Sequence, residues 1–564
     1  MDITRYSDKK VYILVALLLA VFMVTAVSTA LKTSATCDEV AHHVASGYSY
    51  LKTADFRMNP SAPPLIREIM AAPLLLMDLK LPVDHVSWDA IDSPVFGRLF
   101  FFEYNSNAEE IIFWSRVPII LLGVFMGLLI FQWSRRIYGT NAGILALFLY
   151  AYSPAMLGNS AIAMVDIGGS FFILLAVYQY WSFLKNENKG FLAILVTGVC
   201  FGLAQASKVT SVILYPLFFV LALTQLSRVA SGKVKELAKQ IWYLIAIFFI
   251  GLLILWATYG FEFKPLLVGA PDIEEKVQYI RHFLSMVPFL NSPAIIERVI
   301  NYAHTVPIPL STYAVTFLGI TNQVVAGGQG VFFFGQKYLT GIRAYYVVAL
   351  LIKTPITVIV LFFSSVIFAL FKKRSKVDLQ TNAFLILPMA VLFVMVSFSR
   401  LQGAIRYLLP AYPFLFIWLS DIVNVRFEGR VKEILAKAAL GLLLAWYVFI
   451  SFTTFPHYLG YFNEIVGERA HKVSHDSDWG QDLPALSEYL KENNIEKVKL
   501  FYFGEDSPSR CGIIYEEFTE EERISPRKEV YAISIRWLPA VEWTETQEPT
   551  AKLGGSIFIY DFRE

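Results

Sequence analysis

The stretch TSATCDEVAHHVASGYSYLKTADF, residues 33–56, follows an apolar run at 11–31. A run of about twenty such residues is long enough to span a bilayer. Asp38, Glu39, His42 and His43 therefore stand immediately after the first membrane exit. Charges at a membrane boundary are costly unless they pair, meet water or do chemistry. The rest of the chain sets the same problem. Its 564 residues are 56% hydrophobic and only 17% charged. The mean hydropathy of +0.53 is that of a polytopic membrane protein. A net charge of +2 supplies no field for nucleic acid, which is excluded as a partner. Cys37, Cys200 and Cys511 lie too far apart for a zinc spacing or a disulfide framework. The basic start (Arg5, Lys9, Lys10) lacks a small-residue cleavage site after the apolar run, so that run reads as a retained anchor.

Apolar runs place spans at 11–31, 111–131, 141–157, 167–184, 190–206, 209–226, 240–259, 344–371, 381–398, 407–423 and 434–454, about eleven helices. With alternation, the basic N-terminus and the loops WSRRIYG, KNENKG, SRVASGKVKELAK, FKKRSK and NVRFEGRVK all fall on one side. The positive-inside rule makes that side cytoplasmic. Residues 32–110, 260–343 and 455–564 then lie outside. The predicted architecture is an all-α polytopic integral membrane unit, 1–454, with the outer loops 32–110 and 260–343. A small extracytoplasmic α/β domain, 455–564, follows it. In that last piece LPALSEYLKENN has helical spacing with Asp482 as N-cap, and VKLFYF, EVYAISI and SIFIYDF read as strands. No nucleotide-binding fingerprint occurs.

Several polar residues gather at the outer level. Asp38 and Glu39 read either as acids at a helix start or as a general base with imidazole neighbours, since helical spacing puts Asp38 with His42 and Glu39 with His43. HExxH is absent and the metal signal is weak, so no cofactor is assigned and a divalent metal is left open. RMNPSAPPLIREIMAAPLLLMDL reads as a turn and a helix on the bilayer surface, beside the acids. Asp166, in NSAIAMVDIGGSFF, is an N-cap or a site carboxylate at the same depth as Asp38. Lys208, Arg343, Arg400 and Arg406 are cations at that level; snorkelling accounts for Arg343 and Arg400. Lys353 lies inside an apolar run and requires a cavity or a partner. The acidic residues of HKVSHDSDWGQDL lack the full series of a calcium loop and fit turn chemistry.

These motifs, CDEVAHHVASGYSYL…NPSAPPL, AMVDIGG, ASKVTS, LLIKTPI and RYLLPAYP, resemble those of the GT-C membrane glycosyltransferases. The branch they look like contains the protein O-mannosyltransferases and the lipid A aminoarabinose transferase. The tail YFNEIVGE…DSDWGQDL is similar to one carried by prokaryotic members. The resemblance implies a multi-pass enzyme of the cell membrane that moves a sugar from a polyprenyl-phosphate donor to a lipid, glycan or protein acceptor outside the cytoplasm. It implies Asp38 as the catalytic carboxylate and candidate base, with Glu39 beside it and Asp166 from the second outer loop. Lys208, Lys353, Arg406 and Arg343 are implied for the donor phosphate, with His42, His43 and Tyr407 in support. No β-trefoil signal occurs in 260–343, which tells against a protein acceptor. A transporter or flippase for an anionic or lipid-linked substrate is the competing reading, though the charges gather on one side rather than at mid-membrane. A non-catalytic glycan-binding protein is the third.

Overall fold

The computed structural model describes residues 3–187, 189–228, 232–267, 273–327, 330–371, 374–375, 377–403, 405–467 and 470–563. Parts of the basic loops (229–231, 372–373, 376) and of the second outer loop (268–272, 328–329) lie outside the described residues. Among the described residues, seven helices are long and apolar enough to cross a membrane. They are Lys9–Lys32, Ala108–Tyr138, Val165–Lys185, Val209–Leu226, Lys233–Thr258, Leu379–Phe398 and Arg430–Thr454. Two bent pairs raise the number to nine. Phe191–Ser207 is a shorter apolar helix, and 407–423 is divided between a 3-10 turn at Ile405–Ala411 and the helix Tyr412–Ser420. The outward faces are apolar: Leu435, Leu442, Phe449 and Phe452 on Arg430–Thr454 are exposed, as are Leu121 and Phe125 on Ala108–Tyr138. Such faces suit hydrocarbon and not water, and the chain is a multi-pass membrane protein.

Small residues bring helices close where apolar neighbours alone give no net drive to associate. Gly198 and Gly202 stand one turn apart on Phe191–Ser207 and face Lys233–Thr258. A Cβ on Gly202 would sit 2.6 Å from the Cβ of Ile254 and 2.7 Å from the Gly251 carbonyl oxygen.

The bent pair Tyr345–Lys353 and Ile356–Leu370 turns by 114°. Pro355 explains the break, since it has no N–H to continue the helix. The freed carbonyls are taken by the tail: the Asn463 side-chain amide donates to Leu351 and Thr354 at 2.5 and 2.9 Å, and its backbone N–H donates to Ile352 at 2.8 Å. Lys353 thus ends a helix at a kink and does not lie within a continuous span.

The helix Val165–Lys185 relates the two ends of the bundle. At about 1.5 Å per residue, Asp166 and Lys185 are separated by about 28 Å, close to the hydrocarbon thickness of ~30 Å. At the Lys185 end the basic segments join one another: Lys185 pairs with Asp378 at 3.0 Å, and Arg374 with Asp421 at 3.1 Å. At the Asp166 end the segments 32–110, 260–343 and 455–564 meet, where the Thr316 hydroxyl donates to the Pro60 carbonyl and the Phe334 N–H donates to Val473 at 3.0 Å.

The C-terminal segment carries the helix Leu483–Glu492 and a five-stranded mixed sheet, in the order Tyr515–Glu517, Val498–Phe501, Val530–Ser534, Ile557–Asp561, Ala551–Leu553. Val498–Phe501 runs parallel to both its neighbours, and the last two pairings are antiparallel. Leu483, Leu486 and Leu490 of the helix pack on Val498, Leu500 and Ile559. Asp482 holds the N-cap position, but its carboxylate does not cap the helix; it accepts from Ser556 at 2.5 Å, Gln481 at 2.9 Å and His457 at 2.8 Å. The segment expected on the bilayer surface is Leu65–Ala71 with a 3-10 turn to Leu76. Ile66, Arg67 and Met70 are buried against protein, because Arg67 has a set of acceptors to reach there.

Gly202→Leu forces apart the pair Phe191–Ser207 and Lys233–Thr258. Thermal unfolding of the purified chain in detergent is expected to show a loss of about 1–3 kcal/mol, the cost of overpacking a well-filled contact.

Candidate functional site

The first helix ends at Lys32, and Asp38 occupies the N-cap position of a π-helical turn, Glu39–His43, which continues as the helix Val44–Thr53. A π turn holds one residue more than an α turn, and such turns are frequent at functional sites. Here the extra residue changes which side chains share a face. Asp38, His42 and His43 all line one hollow, while Glu39 is carried inward. Backbone approaches closely at this turn: a Cβ on Gly97 would meet the Val40 carbonyl oxygen at 1.9 Å. Only glycine lets the helix Ser93–Phe102 pack there.

Glu39 is fully buried and pairs with Arg116 through two bonds of 2.8 Å. It also accepts from the N–H of Thr36 at 2.8 Å, the Thr36 hydroxyl at 3.0 Å and the N–H of Ala163 at 2.6 Å. The remaining donors of Arg116 reach the carbonyls of Ala30, Thr33 and Ser34 at 2.7, 3.0 and 2.7 Å. Burial works against the Glu39 charge, yet Arg116 and the backbone donors hold its carboxyl below its ordinary value. Arg116 escaped the sequence reading, although a lone arginine in the apolar run IIFWSRVPIILL signals a buried partner. Arg67 escaped it too. It is fully buried, and its guanidinium donates to the His43 ring at 3.3 Å, the Tyr50 hydroxyl at 3.2 Å, the Ser61 hydroxyl at 3.0 Å and the carbonyls of Asn59 and Ala62. It thereby folds the loop 59–62 against the hollow.

The hollow has a volume of about 520 Å³. Its polar end brings together Asp38, Asp166, Lys208 and Arg406 from four separate segments. Arg406 donates to Asp38 at 2.8 Å, and Lys208 to Asp166 at 2.5 Å. Asp166 lies in the first turn of Val165–Lys185, where a helix favours negative charge, and Met164 takes the N-cap position. Lys208 and Arg406 both lie beside the Tyr407 ring, at 5.6 and 5.3 Å. The other walls are mainly apolar, with Phe317, Ile320, Val324, Met395 and Val396. Burial raises the Asp38 carboxyl, but Arg406 and the two histidines outweigh it and bring it down to about 2. Burial also lowers both imidazoles, His43 more strongly, with Arg67 beside it adding to the effect. His42 shares a hydrogen bond with Ser93 at 3.0 Å.

The other two cations lie elsewhere. Lys353 donates to the Leu459 carbonyl at 3.3 Å and stands 3.7 Å over the Phe462 ring. Arg343 is exposed and rests over Phe398 at 5.7 Å. Among the described residues there is no group of three or more His, Cys, Asp or Glu arranged to hold a metal ion.

The tail closes the site from behind. Ser34 N–H donates to Gln481 at 3.0 Å, Cys37 N–H to Trp479 at 2.8 Å, and Ala35 N–H to the Asp506 carboxylate at 2.8 Å. Trp479 lies under the Arg406 guanidinium at 4.3 Å. Every residue from Thr33 to Cys37 is thus held either by Arg116 and Glu39 or by the tail.

Residues 108–257 match the family model described as "Dolichyl-phosphate-mannose-protein mannosyltransferase". That segment carries Arg116, Asp166 and Lys208. The match agrees with the glycosyltransferase resemblance drawn from the motifs. A comparison with curated proteins finds no match. Similar solved structures include ArnT from Cupriavidus metallidurans bound to undecaprenyl phosphate, at 10% identity and TM-score 0.48, over 98% of this chain and 97% of that one. Another is the archaeal oligosaccharyltransferase AglB from Archaeoglobus fulgidus with an inhibitory peptide and a dolichol-phosphate, at 11% identity and TM-score 0.45, over 77% and 55%. A third is the S. cerevisiae protein O-mannosyltransferase Pmt1-Pmt2 complex bound to the sugar donor, at 17% identity and TM-score 0.35, over 47% and 37%.

Glu39→Ala leaves Arg116 buried without its carboxylate, and chemical unfolding is expected to show a loss of about 3–5 kcal/mol. The wild-type pair has a pH signature as well. Its contribution is complete above the ordinary value of 4.5 and falls away as pH drops through the lowered one, so the Glu39→Ala deficit narrows in acid.

Proposed function

We propose that this chain is a glycosyltransferase of the GT-C type that takes a sugar from a polyprenyl-phosphate carrier and passes it to an acceptor hydroxyl on the extracytoplasmic face. The observation that carries this reading is the meeting of Asp38, Asp166, Lys208 and Arg406 in one hollow with a long apolar wall. In this reading the membrane unit of about eleven spans, 1–454, has its N-terminus in the cytoplasm, and the α/β domain, 455–564, sits outside over the site. The separation of the basic end from Asp166 by about one hydrocarbon thickness supports that orientation.

The wall formed by Phe317, Ile320, Val324, Met395 and Val396 receives the proximal part of the carrier lipid. Lys208 and Arg406 receive its phosphate. Asp38 removes the proton of the acceptor hydroxyl, whose oxygen attacks the anomeric carbon. The bond from that carbon to the phosphate oxygen breaks, and the polyprenyl phosphate leaves with the electron pair, its charge held by the two cations. A single displacement inverts the anomeric centre.

The resting pairs suit this sequence. With Arg406 on it, Asp38 is ionised but a weak base. An arriving phosphate competes for Arg406, and every hydrogen bond withdrawn from Asp38 raises its basicity. Donor binding therefore prepares the base. Asp166 orients Lys208, and Glu39 holds the turn through Arg116 without facing the hollow.

Asp38→Asn keeps the shape and removes the base. With a panel of radiolabelled polyprenyl-phosphate sugars, transfer is expected to fall by about 10²–10⁴-fold with the unfolding midpoint little changed. Transfer at the wild-type rate would remove Asp38 from the mechanism. The pH profile tests the Arg406 argument. A base must be ionised to act, and Arg406 holds Asp38 down to about 2. Wild-type kcat/KM is expected to stay level from about pH 7 to about pH 4, and Arg406→Gln to bring its acid limb up into that range.

A further inference from the structure

The bond from Arg67 to His43 settles which nitrogen of that imidazole carries a proton. A guanidinium is always charged, has only N–H donors and cannot accept. The Arg67 Nε–H points at the His43 Nδ1 at 3.3 Å, so Nδ1 is an acceptor. A neutral ring with a bare Nδ1 carries its proton on Nε2. Arg67 cannot swing away to release it. It is fully buried, and its other two nitrogens are held by Tyr50, Ser61 and the carbonyls of Asn59 and Ala62. His42, on the same turn, escapes this constraint, because its Nδ1 meets the Ser93 hydroxyl, a group that donates or accepts.

Protonating Nδ1 would set N–H against N–H and place a second cation beside Arg67. Of the other charges around the ring, Asp38 on its own turn favours the imidazolium, while His42 on that turn and Arg406 from Ile405–Ala411 oppose it, as does burial. His43 is therefore neither acid nor base but a fixed, neutral donor. Its Nε2 has no partner among the described residues, and the ring lines the hollow. An N–H on a cavity wall is satisfied by an oxygen within the cavity. The displacement indicates which one. Lys208 and Arg406 take the phosphate, and Asp38 takes the proton of the acceptor hydroxyl. The anomeric carbon must lie between them, so the sugar ring passes beside the turn that presents both Asp38 and His43. A neutral N–H suits a neutral hydroxyl there and does not compete with the two cations for the phosphate.

We propose that His43 binds the transferred sugar, its Nε2–H donating to a hydroxyl oxygen of the ring, and that Arg67 is a positioning residue that holds His43 in this tautomer. The proposal rests on the transferase reading for the identity of its ligand. It separates His43 from the phosphate-binding cations and gives the buried Arg67 a part in recognising the sugar.

Two measurements on the full chain in detergent test it. In the first, nitrogen-15 histidine spectra, with His43 assigned through His43→Gln, are followed from about pH 8 to about pH 5. A bare Nδ1 and a protonated Nε2 are expected throughout, and the Nε2 resonance is expected to move on adding undecaprenyl-phosphate mannose or glucose but not on adding undecaprenyl phosphate. In the second, the affinity for the same carriers is measured. His43→Leu is expected to weaken the glycosylated carriers by about three- to tenfold and to leave undecaprenyl phosphate unchanged, which also shows that the variant is folded. His43→Gln offers an oxygen to Arg67 and an N–H to the hollow, and is expected to restore most of that loss. An Nδ1–H tautomer, a ring that titrates as an ordinary histidine, an Nε2 resonance moved equally by the bare carrier, or equal effects of His43→Leu on all carriers would overturn the proposal. If undecaprenyl phosphate binds and no preference depends on His43, this proposal alone fails. If no carrier binds, the carrier reading fails and the sugar contact falls with it.

Discussion

The buried ion pair between Glu39 and Arg116 fixes the geometry on which the rest of the site depends. One guanidinium binds the end of the first helix, the exit loop and the carboxylate after it, and that carboxylate binds the loop and the N–H of Ala163. An ion pair buried this deeply is not a cheap source of stability, because both charges must leave water. Its value here is geometric. With all donors and acceptors satisfied, the turn that presents Asp38 has one arrangement, and the segment before Asp166 is tied to the same centre.

The hollow beyond that turn is nearly neutral in its charge balance yet full of charge. Asp38 faces Arg406 and Asp166 faces Lys208. Each carboxylate holds its cation at the hollow before any substrate arrives; in the proposed reaction the phosphate then draws Arg406 from Asp38. The same pairing keeps Asp38 a poor base in the resting state. The apolar wall adds a low-dielectric boundary along which these charges act more strongly than they would in water. Arg67, with no carboxylate within reach among the described residues, adds a further positive charge behind His43.

Much of this was legible in the sequence because polar residues at the ends of apolar runs are conspicuous. Asp38, Asp166, Lys208 and Arg406 stood out for that reason, and topology alone put them at one level. Strand-forming runs also marked the three central strands of the C-terminal sheet. What could not be read was the π turn. Helical spacing already separates Asp38 from its neighbour Glu39, but only in the π turn does His43 join Asp38 and His42 at the hollow while Glu39 goes alone to Arg116. Helical spacing of 3.6 residues pairs the acids with the histidines differently. Lys353 and Arg343 show the same limit: both lie at the right depth, but a kink at Pro355 and an exposed loop direct them away from the hollow. The tail was legible as helix and strand, and its hydrogen bonds to Ser34, Ala35 and Cys37 were not, since contacts over more than 400 residues leave no periodicity to detect.

An experimental structure of the chain with undecaprenyl phosphate tests the central claim most directly. The account predicts the phosphate in contact with both Lys208 and Arg406, the lipid along Phe317 and Val396, and Arg406 drawn away from Asp38. A phosphate seated away from these two cations, or an Asp38–Arg406 bond undisturbed by it, would contradict the account.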